Sequence, residues 1–307
     1  MVFALSGCQE RVNSPYPSAA VAGKTLFSSF SERPKHLDPA RAYSSNEIEF
    51  IGQIYEPPLQ YHFLKRPYEL EPLTLTAMPR LTLLDREGRV LPPNAPAAKV
   101  AHSVYELHLR DDIRYQPHPA FVPAMHAVAP HTVERLDDFS QRASRGVTAA
   151  DYVHQIKRLA DPRLSSPIYG VMREYILGLD KLGDRLATQH QKGEPINLEA
   201  ESLPGAVAVD ARTLRITLKG RYPQFLYWLA MPFFAPIPPE VEHFYARPGM
   251  AEKNLSIDWQ PVGSGPFFLS ENDPNRVMRL TRNPNYRIEH YPGRPDLRLP
   301  LLDQAVY

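Results

Sequence analysis

A single cysteine, Cys8, serves all 307 residues. That scarcity excludes an internal disulfide and every zinc ribbon or redox pair built on C-x-x-C. Net charge is nearly absent as well: 35 Lys and Arg face 34 Asp and Glu, so no long-range field collects a polyanion and no nucleic-acid partner is expected. No apolar run approaches the roughly 18 residues that suggest a membrane span. Catalytic signatures are missing too. The sequence has no Walker A loop, no G-x-G-x-x-G and no H-E-x-x-H, which leaves phosphate cradling and zincin hydrolysis unsupported. Gly263-Ser264-Gly265 lacks the residue that a nucleophile elbow places between each glycine and its serine. No catalytic residue, cofactor or enzymatic activity is therefore expected.

Proline, by contrast, is abundant. The 33 prolines are about twice the usual share of roughly 5% and imply many loops and short elements. With 43% hydrophobic and 10% aromatic residues the chain has the material for a real core, and its length suggests one large or two unequal domains. Strand and helix signals alternate. Residues 24–30 form a short strand pattern with Leu26, Ser28 and Phe30 on one face. Ser44 and Glu47 make a capping box for a helix through Ile48, Ile51 and Tyr55, which Pro57 and Pro58 stop. Residues 102–110 alternate with Tyr105, Leu107 and Leu109 inward. Thr148 caps a helix whose stripe is Tyr152, Val153, Ile156, Leu159 and Ala160, and Asp161-Pro162 ends it. Residues 209–219 place Leu214, Ile216 and Leu218 on one face, Pro223 opens a short aromatic helix over 224–231, and 277–281 and 301–307 again alternate. The pattern is that of a mixed α/β protein.

Three groups of residues invite a chemical reading. His118, His126 and His131 crowd a proline-rich insertion at 115–147, and imidazole is the commonest transition-metal ligand. Their spacings of eight and five fit no single helix face, so surface histidines are the competing reading. Asp111-Asp112 and Asp137-Asp138 are adjacent, so strand geometry would turn them to opposite faces; they read as solvated turn residues. Leu5-Ser6-Gly7-Cys8 follows a short apolar stretch and resembles a bacterial lipoprotein cleavage box, in which Cys8 carries the lipid. Only seven residues precede Cys8 and none is Lys or Arg, so this reading requires chain upstream of Met1. The other reading is an unpaired thiol near a chain end.

The order of the segments carries more than any one motif. LDP at 37–39, IYEPPL at 54–59, YELHLRDDIRY at 105–115, VTAADYV at 147–153, VDARTLRI at 209–216, PVGSGPF at 261–267 and LDQAVY at 302–307 follow one another as in the family 5 extracellular solute-binding proteins, the di- and oligopeptide receptors of ABC importers. The chain resembles the N-terminal portion of that family. The resemblance implies a type II periplasmic-binding-protein first lobe with a mixed sheet and an inserted subdomain, the second lobe being absent. It implies a truncated lipoprotein signal and tether over 1–23, a lobe core over 24–60 and 220–307, and an inserted subdomain over 61–219. It also implies a peptide ligand, a permease and ATPase as partners, a monomer, and a periplasmic or other extracytoplasmic place with a lipid anchor as the membrane link. Glu32, Arg33, Tyr43 and Ser44 are the ligand-binding residues that it implies. The family's short His-Asp-Gly turn is replaced here by Gln116-Pro117-His118-Pro119, which marks a divergent branch. An extracytoplasmic interaction protein or a metal-binding protein using the histidine insertion is the alternative.

Overall fold

Residues 23–307 are described by a computed structural model; Cys8 and the tether up to residue 22 lie outside the described residues. Strand β1 (Thr25–Phe27) leads through a long loop to helix α1 (Ser45–Ile54). A hairpin of β2 (Leu59–Tyr61) and β3 (Leu70–Pro72) follows, then β4 (Arg80–Leu84), β5 (Val90–Leu91) and β6 (His102–His108). Beyond the insertion, which contains the single-turn helix α2 (Pro123–His126), come α3 (Ala149–Arg158), α4 (Tyr169–Tyr175) and α5 (Leu179–Gln191). Strands β7 (Ala206–Ala208) and β8 (Thr213–Lys219) precede α6 (Phe225–Trp228) and α7 (Pro239–Tyr245). The described chain closes with β9 (Phe267–Asp273), β10 (Val277–Arg282), the pair β11 (Glu289–Tyr291) and β12 (Arg294–Leu299), and β13 (Gln304–Val306).

Two larger sheets result. An antiparallel sheet, β5-β4-β6-β8-β7, buries Tyr105 and Leu107 from β6 with Leu214, Ile216 and Leu218 from β8. Helices α3, α4 and α5 contribute Tyr152, Ile156, Met172, Leu182 and Leu186 to the same cluster. Gly183 leaves room for the Tyr169 ring between α4 and α5, since a Cβ there would stand 1.8 Å from the Tyr169 hydroxyl. The second sheet, β1-β13-β10-β9, is mixed: β1 runs parallel to β13 and the other pairs are antiparallel. It packs with α1, α7 and the insertion through Phe50, Ile54, Phe139, Phe244, Leu269 and Leu280.

Several sequence expectations shorten here. The strand expected over 24–30 ends at Phe27 and leaves Leu26 exposed. The pattern over 209–219 splits, because Asp210 accepts the Arg212 N–H at 2.7 Å and turns the chain between β7 and β8. The α3 stripe is joined by polar burial that periodicity does not show. Arg158, 1% exposed, donates to Asp38, 2% exposed, at 3.0 and 2.6 Å. His154 lies 2.6 Å from Glu242, which Arg158 also approaches, at 3.5 Å. Burial alone would raise the Glu242 carboxyl, but Arg158 and His154 hold it down at about 2.

Removing one partner of such a pair leaves an uncompensated buried charge. Asp38→Ala is expected to destabilise the chain by about 3–5 kcal/mol in urea denaturation, whereas Asp38→Leu combined with Arg158→Met loses less than that single change. A loss within the range of an exposed pair, about 1 kcal/mol or below, would contradict the assignment.

Candidate functional site

Because β1 and β13 are parallel, both end on the same side of their sheet, and in open α/β sheets ligands gather outside the carboxyl ends of strands. The Ser28 N–H donates to the Val306 carbonyl at 2.9 Å as the chain leaves β1. Phe30 then meets Phe50 edge-on at 5.8 Å, and Phe50 packs on Tyr307 at 4.8 Å. These rings pack the loop 28–44, which with the first turn of α1 forms the candidate rim, against the end of β13.

The loop 28–44 carries all four expected ligand residues, with Glu32 and Arg33 tied by their carbonyls to the first turn of α1 and the Tyr43 ring turned toward Phe233. Asn46 Nδ2 donates to the carbonyls of Glu32 at 3.2 Å and Arg33 at 3.1 Å, so both residues are fastened to the first turn of α1. Their side chains are exposed. Arg33 Nη1 reaches Asn275 Oδ1 at 3.5 Å, across the turn between β9 and β10. Tyr43, 67% exposed, lies 6.2 Å from the buried ring of Phe233. Ser44 is the N-cap of α1, as its spacing to Glu47 predicts. Asn46 and Asn275 were not legible as rim residues, because each acts through a contact distant in sequence.

Three carboxylates shape this loop from below. Glu47 accepts the N–H groups of His36 at 2.9 Å, Tyr43 at 2.8 Å and Ser44 at 3.0 Å. Its burial works to raise the carboxyl, yet these hydrogen bonds bring it below the ordinary range. Asp38 accepts the Ala40 N–H at 2.9 Å in addition to Arg158. Asp258 accepts the Asp38 N–H at 3.2 Å and pairs with Arg41 and His36. Burial, with the Asp38 charge added, raises the Asp258 carboxyl despite those cations.

The other end of α1 is a packing junction. Gly265 N–H donates to the Ile54 carbonyl at 2.8 Å, and a Cβ on Gly263 would stand 1.9 Å from that same oxygen. Gln116 exchanges hydrogen bonds with Gly263 through its backbone N–H at 3.0 Å and its side-chain Oε1 at 3.1 Å. Ser264 Oγ donates to Glu56 at 3.1 Å, and Arg287 Nη1 lies 2.8 Å from both Glu56 oxygens. Ser264 thus supports a buried ion pair.

The histidine insertion packs inward rather than gathering ligands. His118 is fully buried, so the reading of its three histidines as surface groups does not describe it. Its Nδ1 accepts the Ala120 N–H at 3.1 Å, which leaves Nε2–H to donate to Tyr245 Oη at 2.8 Å. Both nitrogens are taken. His126 Nε2 donates to the Ala120 carbonyl at 2.8 Å, and His131 is exposed. Among the described residues no group of three or more His, Cys, Asp or Glu side chains could hold a metal ion.

With this geometry in view, comparison with known proteins settles the family. The model of the middle region of the bacterial extracellular solute-binding proteins, family 5, matches residues 102–307. The chain belongs to this family. A curated relative, "Probable deoxycholate-binding periplasmic protein YgiS" of Escherichia coli K12, is 28% identical over 160 residues, which are 52% of this chain and 27% of that protein. The murein tripeptide binding protein MppA of Escherichia coli superposes with a TM-score of 0.57 at 20% identity, over 93% of this chain and 42% of that one. DppA of Helicobacter pylori, solved in complex with the peptide STSA, superposes at 0.58 and 18% identity, over 92% and 42%. The family 5 chain therefore spans about a quarter of the curated relative and about two fifths of these structures. The shared fold is that of one lobe of a type II periplasmic binding protein, mixed α and β as expected. No described helix is long and apolar enough to cross a membrane.

Burial, with smaller contributions from Arg142 and His126, lowers His118 from 6.5 to about 3. A histidine depressed in the folded state stabilises it above the ordinary value and loses that contribution as pH falls toward the folded one. The melting temperature of the native chain should therefore fall more steeply than that of His118→Gln as pH drops from 6.5 toward 3. Parallel curves for the two proteins would contradict a buried neutral His118.

Proposed function

We propose that the chain is the first lobe of an extracytoplasmic receptor that captures di- and oligopeptides for an ABC importer. Membership of the solute-binding family over residues 102–307 carries the reading. The two-sheet lobe and its rim support it, as do structural neighbours solved with peptide bound. Capture needs no catalysis: an extended peptide is held by backbone hydrogen bonds, and closure of two lobes about a hinge buries it. The chain is accordingly read as a binding protein and not an enzyme.

On this proposal Glu32, Arg33 and Tyr43 contact the peptide from this lobe, while Ser44 sets the start of α1. Residues 24–60 and 220–307 form the lobe core and 61–219 its inserted part. A permease and ATPase are the onward partners of a monomeric receptor, and Cys8 anchors it through lipid outside the cytoplasm.

The YgiS match makes deoxycholate the competing ligand. Adding millimolar trialanine to the labelled chain is expected to shift the amide resonances of Glu32, Arg33, Tyr43 and Ser44, with smaller shifts in Arg33→Ala. One lobe offers an open face, so isothermal titration of the 307-residue polypeptide should give weak binding or none. Shifts with deoxycholate alone, or micromolar and tighter peptide binding by this polypeptide, would contradict the proposal.

A further inference from the structure

Strand β9 forms one edge of its sheet, and β10 is its only neighbour there. Met278 of β10 exchanges backbone hydrogen bonds with Tyr307 at 3.0 and 2.9 Å, so it faces β13. Asn272 stands opposite Met278, and Leu269 stands opposite Leu280, two residues further along β10. In an antiparallel ladder these positions turn their N–H and C=O groups away from the partner strand. Among the described residues those outward backbone groups make no hydrogen bond. The Asn272 side chain is turned inward: its Nδ2 donates to the Trp259 carbonyl at 2.7 Å and its Oδ1 is shielded, so the backbone groups are what the edge offers.

This edge is the floor of a groove of about 700 Å³, lined along β9 from Phe268 to Asp273 and on its other side by Glu134, Asp137, Arg142, Lys253 and Trp259. That wall is fastened to the lobe. Lys253 Nζ donates to the carbonyls of Pro130, at 3.0 Å, and Val133. Arg247 Nη1 donates to the carbonyls of Met125, His126 and Val128 at 3.0 to 3.2 Å. A walled edge admits one extended segment and keeps out the sheet of a second folded copy. The wall's charges pair with one another, Arg142 with Asp137 and Lys253 with Glu134, so the groove favours an occupant of balanced charge over one with an excess of either sign.

We propose that the β9 groove binds an extended segment of a partner polypeptide, added as a further strand and carrying both Lys and Glu side chains. Backbone pairing supplies the attraction, as in other strand additions to an exposed edge. The groove meets the rim assigned to cargo only at its Asp273–Arg276 end, where Arg33 reaches Asn275, and a peptide bound at the rim would protect Arg33 and Tyr43 and leave Leu269 unchanged.

The test is amide hydrogen exchange of the full chain with a millimolar blocked peptide, acetyl-Lys-Thr-Val-Thr-Val-Thr-Glu-amide. Protection of Leu269 and Asn272 should rise about tenfold, and the same peptide N-methylated throughout should give none. Asn272→Pro removes one outward N–H without touching the ladder to β10 and should abolish the rise at Leu269, whereas Asn272→Ala should keep it. If Asn272→Pro also loses protection in β10, the N-methylated peptide decides alone. No added protection at β9, or equal protection by the N-methylated peptide, would overturn the proposal.

Discussion

Arg158 cannot be buried alone, and its need for a counter-charge joins two parts of the chain that sequence keeps 120 residues apart. The guanidinium sits on the last turn of α3, within the cluster served by the antiparallel sheet, while Asp38 belongs to the loop that leaves β1. A desolvated pair of this kind costs several kcal/mol for each ion unless geometry and further hydrogen bonds offset it. Here the Ala40 N–H and Gln155 Oε1 add hydrogen bonds at 2.9 Å each, while Arg158 Nε, 3.5 Å from Glu242, makes none. The loop 28–44 therefore has little freedom to move without exposing or stranding a charge.

Everything at the rim follows from that restraint. Asp38 fixes the middle of the loop, Asp258 receives its backbone, and Glu47 gathers three N–H groups at the end. The exposed side chains of Glu32, Arg33 and Tyr43 consequently project from a backbone held by Asn46 at the Glu32 and Arg33 carbonyls and by Glu47 at the Tyr43 N–H. Preorganisation of this sort lowers the ordering cost of binding. The Glu56–Arg287 pair does the same at the opposite end of α1, holding the 261–267 loop against the helix through Ser264.

Much of the fold was legible because its local signals agree. The Ser44–Glu47 and Thr148–Asp151 caps, the inward face of β8 and the ordered family segments all correspond to features of the structure. What sequence reasoning missed depends on partners far along the chain. Leu179, Leu182 and Leu186 have helical spacing, but Gly183 lies between them and its purpose appears only when Tyr169 fills the gap. His118 reads as an exposed loop residue until Phe244 and Tyr245 of α7 cover it. The short strands β2 to β5 carry too few residues for alternation to stand out. Asn46, Asp258 and Asn275, whose contacts order the loop 28–44, were not legible, because their partners lie elsewhere in the chain.

The restraint on the loop 28–44 rests on the Asp38–Arg158 pair. It is tested most directly by hydrogen exchange at the His36, Tyr43 and Ser44 amides, the three donors to Glu47, compared between the native chain and Asp38→Asn. The account predicts that these amides lose protection in the variant while those of β6 and β8 keep theirs. Unchanged exchange at all three would show that the loop is ordered without the ion pair, and the account would be wrong.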